Sequence, residues 1–93
     1  MRQETYETVF VDQMPEELQE GVLYMAPHFN CALHKCMCGC GEVVSTPLDD
    51  KHGWKWTFDG VNASLLPSVG NFQQKCKSHY FLKNGNVQWS ICR

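Results

Sequence analysis

The segment HKCMCGC, residues 34–40, sets three thiols at alternate positions directly after an imidazole. Cys36, Cys38 and Cys40 would project from one face of an extended strand. Gly39 and Gly41 interrupt that strand and allow backbone angles that fold the chain back and bring the sulfurs together. Three thiols on one small surface make an odd apolar core but a sensible tetrahedral zinc site, provided a fourth ligand comes from elsewhere. Cys76, in QKCKSHY, is the obvious donor, and His34, Cys31 and His79 compete with it. With four cysteines the site is closed and the metal is structural. With three protein ligands a position opens for catalysis. The plain alternative is that the cysteines are small buried hydrophobes, the reading preferred for Cys31 and Cys92.

A second stretch, LLPSVGNF, carries Ser68 between a proline and a glycine two residues on. A turn there would expose the hydroxyl together with neighbouring backbone N–H groups, as a serine nucleophile requires. It is not a G-x-S-x-G elbow, and a serine after proline is ordinarily a turn or capping residue. The candidate bases are His79, three residues after Cys76, and His34, two before Cys36. Histidines so close to a thiol cluster are commonly ligands or support the ligands through hydrogen bonds. His28 and His52 fall in apparent loops. Glu42, Asp49, Asp50 and Asp59 could each orient a base, and the sequence does not choose among them.

These groups must be held by a chain of only 93 residues, room for a single domain over 1–93 with a small core that benefits from a staple. The predicted class is mostly β (small α+β): a compact β-hairpin domain stapled by a zinc site, with one short helix near the N-terminus. YETVFV alternates as a strand, and MPEELQEG, with Pro15 and its acids, reads as a helical turn. VLYMA and FNCALHKC form a strand pair about Pro27, and EVVST is a strand stopped by Pro47. Asp59-Gly60 and Asn84-Gly85 each signal a two-residue hairpin. Trp54, Trp56 and Phe58 have the spacing of a core-facing strand, and Tyr80 and Trp89 that of a cross-strand pair.

A net charge of −2 with scattered lysines argues against nucleic acid, and no apolar run approaches the roughly 20 residues that cross a bilayer. The N-terminus lacks a signal-peptide core, so a cytoplasmic location is expected, where six cysteines favour thiolate ligands over disulfides.

The segments GVLY, HKCMCGCGEVVSTPL, PSVGN and CKSHY, in this order, resemble a family of small bacterial domains found in operons for ubiquitin-like protein conjugation. The resemblance covers roughly residues 9 to 90. It implies a peptidase that processes or deconjugates a ubiquitin-like protein. Carried over by position, the metal ligands are Cys36, Cys38, Cys40 and Cys76, the motif serine is Ser68, and the motif histidines are His34 and His79. Phe72 and the approach QQKC depart from many relatives and flank the site.

Three readings result. In the first the chain is a serine peptidase with a structural zinc. Ser68 is the nucleophile, His79 or His34 the base, and Val69, Gly70 or Asn71 hold the oxyanion. Its partners are a ubiquitin-like protein and the E1/E2-like conjugating enzymes. In the second it is a zinc-stapled binding module for the same partners, without chemistry. In the third it is a redox or metal sensor, which leaves PSVGN and KSHY unexplained.

Overall fold

The computed structural model describes residues 3–48, 53–70 and 79–89. Asn71 and Cys76 lie outside the described residues, as do Asp49, Asp50, His52 and Cys92.

The predicted β class holds, as two four-stranded sheets. The first has the order β1 (Glu7–Phe10), β2 (Val22–Ala26), β3 (Cys31–Lys35) and β4 (Val43–Pro47). The second follows as β5 (Lys55–Phe58), β6 (Ala63–Gly70), β7 (His79–Lys83) and β8 (Asn86–Trp89). All neighbours are antiparallel except β1 and β2, which run parallel. Antiparallel register puts every second residue on one face, and those faces meet in one buried cluster. Leu23, Met25, Ala32 and Val44 come from the first sheet, and Ala63, Leu65, Val69, Tyr80, Leu82 and Val87 from the second.

Two local expectations are corrected. Residues 11–21, which join the parallel strands, contain bends and a turn but no helix. A single helical turn costs more to nucleate than its few bonds return. Here the loop is tied to the sheet instead, by burial of Leu18 and by the Gln19 N–H donating to the Tyr24 hydroxyl (3.0 Å). The one helical element among the described residues is a 3-10 turn at Pro27–Phe29, closed by left-handed Asn30. The second correction concerns Asp59-Gly60, which lies in a four-residue loop between β5 and β6. The Asp59 carboxylate accepts the Val61 and Asn62 N–H groups (2.8 and 2.7 Å), and these bonds hold its pKa down. That use of its side chain in the turn replaces the tighter connection.

Asn84-Gly85 is the two-residue turn expected. Both residues have positive φ (53° and 85°), and Lys83 pairs with Asn86 across it. Tyr80 and Trp89 form the expected cross-strand pair, with ring centroids 5.0 Å apart.

The aromatic stripe is less buried than its spacing implied. Trp54 packs against the core, but Trp56 and Phe58 are 37% and 50% exposed. They lie on edge strand β5, and both rings contact Phe10 of β1 in the other sheet. No helix among the described residues is long and apolar enough to cross a membrane.

Candidate active site and thiol cluster

β6 carries eight residues, and its pairing with β7 is irregular. Leu65 opposes Leu82 and Val69 opposes Tyr80, so the step from 65 to 69 on β6 matches a step of only two on β7. The three residues Leu66 to Ser68 thus face one residue of β7, Phe81, and form a bulge with two residues extra, a device that bends a strand and re-aims a side chain. Pro67 lies within it, where the ladder needs no N–H from it. Ser68 therefore stands in a strand bulge, not the turn its neighbours suggested. Its hydroxyl leaves the core face and meets β7, where His79 opposes Gly70. Ser68 Oγ and His79 Nε2 are 2.5 Å apart and share a hydrogen bond. Both residues are half-buried, open enough to be reached from solvent.

His79 and Tyr80 point to opposite faces of β7, as consecutive strand residues must. His79 faces outward with exposed Phe81, its ring 6.5 Å from that of Phe81. Tyr80 faces into the core, fully buried. Its hydroxyl shares a 2.8 Å hydrogen bond with His34 Nε2 and accepts the Met37 N–H at 3.4 Å. Burial, and then the neighbouring Cys36 and Cys38, push the Tyr80 phenol up, against the pull of the Met37 N–H. His34 is buried on β3, and burial pushes its pKa down to about 4, so the ring is neutral at physiological pH. Its Nδ1 is buried and has no hydrogen-bond partner among the described residues. The two candidate bases thus stand in different places. His79 meets the serine on the outer face, and His34 bonds Tyr80 inside.

Cys36, Cys38 and Cys40 lie in the loop that joins β3 to β4, not along a strand. β3 stops at Lys35, which pairs with Val43. The Cys36 N–H donates to Glu42 O (2.8 Å) and the Gly39 N–H to Cys36 O (3.1 Å). Gly39 and Gly41 take φ of 90° and 88°, a region costly for any residue with a Cβ. The fold-back expected of these glycines is what gathers the thiols. The Cys36, Cys38 and Cys40 sulfurs lie within 4.8 Å of one another, with Cys36 and Cys38 at 3.3 Å. A zinc–sulfur bond of about 2.3 Å puts tetrahedral sulfurs about 3.8 Å apart, so the three thiols fit a metal. Cys36 is buried, Cys38 half-buried and Cys40 exposed, and Cys31 stands outside the group. Three close cysteines can therefore hold a metal ion.

Two residues matter more here than their sequence suggested. Tyr80 links the cysteine loop to the strand that bears His79, and strand alternation from an outward His79 would have turned it inward. Trp54 donates its indole N–H to Ser68 O at 3.3 Å. The sequence hint was general: a buried tryptophan normally finds an acceptor for its N–H.

A model of the family described as bacterial ubiquitination-like system serine protease (BubE) matches residues 10–90 of this chain. No curated protein and no solved structure matches it.

Proposed function

The chain belongs to the bacterial ubiquitination-like system serine protease family (BubE), and from that premise we propose that Ser68 and His79 are its catalytic pair. The substrate in this reading is a ubiquitin-like protein, cut at its C-terminus to process a precursor or to release a conjugated target. The observation that carries the assignment is the 2.5 Å contact between Ser68 Oγ and His79 Nε2.

The chemistry runs through that contact. The Ser68 hydroxyl donates to Nε2, and His79 takes the proton as Oγ attacks the scissile carbonyl. Backbone N–H groups of Val69, Gly70 or Asn71, or the Asn71 side chain, stabilise the oxyanion. His79 then gives the proton to the leaving amine, and water hydrolyses the acyl-enzyme by the reverse sequence. His34 is the less suitable base, because it is buried and its Nε2 is engaged with Tyr80.

Cys36, Cys38, Cys40 and Cys76 would hold a structural zinc. When bound, it cross-links the β3–β4 loop to the segment that leads into β7 and does no bond chemistry. Tyr80 passes that order to the active site, because it packs against the cysteine loop and sits next to His79 in the chain. The E1/E2-like conjugating enzymes are partners in the same system. A pure recognition module would have no use for a serine and a histidine in hydrogen-bond contact.

The test is cleavage of a ubiquitin-like protein with a C-terminal extension by wild type, Ser68→Ala, His79→Ala and the double variant. The reading expects both single variants to lose activity about as completely as the double, because catalytic pairs act as a unit. Full activity in His79→Ala would remove it as the base.

A further inference from the structure

Ser68 lies where the strand ladders are interrupted. The ladder between β5 and β6 ends at Lys55 and Leu66, and the bulge breaks the ladder with β7 from Leu65 to Val69. The Ser68 backbone carbonyl accepts a hydrogen bond from a side chain, the indole N–H of Trp54 (3.3 Å). Trp54 is itself anchored, since its backbone N–H donates to Pro47 O at the end of β4 (2.8 Å) and its ring packs against the core. By the β5–β6 register the residue opposite Ser68 would be Gly53, two pairs beyond Lys55 and Leu66 and outside β5, and the Trp54 indole supplies a donor there.

A planar trans peptide fixes the consequence. Its C=O and N–H point in opposite directions, so holding Ser68 O also sets the direction of the Val69 N–H. It sets the orientation of the Ser68 Cα as well, and so where Oγ stands relative to His79. We infer that Trp54 is a positioning residue for the nucleophile, acting through the Ser68 carbonyl. The inference rests on the serine-peptidase reading and adds to it the group that holds the bulge in reactive shape. Trp54 touches no reacting atom. Its effect is on how often Oγ and Nε2 are aligned, which enters the rate of the covalent step and not the affinity for a substrate.

The test is the rate at which a fluorophosphonate probe modifies Ser68. Saturation kinetics separate the affinity of the probe from the maximal rate of modification. Wild type is compared with Trp54→Phe, which lacks the donor, and with 3-benzothienylalanine at position 54, which keeps the indole outline with sulfur in place of N–H. The expected result is a maximal rate lower by about tenfold in both, with probe affinity within about twofold, the size of effect expected from losing one positioning hydrogen bond. Melting temperature and metal content stay at wild-type values in the benzothienyl protein. A wild-type maximal rate in the benzothienyl protein would overturn the inference and leave the peptidase reading intact. Wild type that the probe does not modify at Ser68 would overturn the peptidase reading, and the inference with it.

Discussion

Ser68 and His79 illustrate how much a residue's neighbours in sequence reveal and where they stop. A serine after proline and before V-G could be picked out as unusual, and two histidines as its possible bases. What brings His79 to Ser68 is a strand register eleven residues away, together with a bulge that turns Ser68 off the core face. No local pattern announces that bulge, because Pro67 and Gly70 suit a turn equally well. His34 stands apart from Ser68 for a related reason. Its spacing from Cys36 aligns it with all three thiols on one strand face only if the strand continues, and β3 stops at Lys35. It is then a buried neutral ring whose polar anchor is Tyr80. Tyr80→Phe should leave His34 Nε2 buried without a partner, at a cost of about 1–3 kcal/mol. Urea denaturation checks this, and an unchanged midpoint with an unchanged slope would contradict the role given to the pair.

Hairpins and loops were legible to different degrees. Asn84-Gly85 was readable because a turn with two positive φ values admits few other residues. Asp59-Gly60 carries a similar signal, yet the aspartate carboxylate caps two N–H groups and opens the loop to four residues. The sheet pairing of β1 with β2 was not readable at all, since a parallel neighbour leaves no turn signature. At the second hairpin, Gly85→Ala meets two obstacles. A Cβ there would lie 2.5 Å from Asn62 Nδ2, and φ is +85°. The variant should lose about 1–2 kcal/mol, the cost of the left-handed region for a residue with a Cβ. A melting temperature equal to wild type would contradict the turn geometry. The cysteine loop belongs to this scale too. Its glycines correctly foretold a fold-back, while the extended CxCxC strand did not form, because the chain turns from Cys36 onward.

Across the whole molecule, two sheets share one core, and His34 bonded to Tyr80 joins them beside the thiols. A chain this short gains much from a cross-link. Metal binding and folding should therefore be coupled, and Cys38→Ser should release the metal and unfold the protein. A Cys38→Ser protein that keeps a full metal complement and a native circular dichroism spectrum would remove Cys38 from the ligand set. The β composition and most strands could be read from residue alternation, because alternation reports which face is buried. The exposure of Trp56 and Phe58 could not, since it depends on β5 being an edge strand. On the proposed reading, a bound metal holds the fold while Ser68 does the chemistry. Its most direct test measures zinc content and cleavage of a C-terminally extended ubiquitin-like protein on the same samples of wild type and Ser68→Ala. The account predicts one zinc per chain in both and cleavage by wild type alone. Cleavage by Ser68→Ala at the wild-type rate would contradict it.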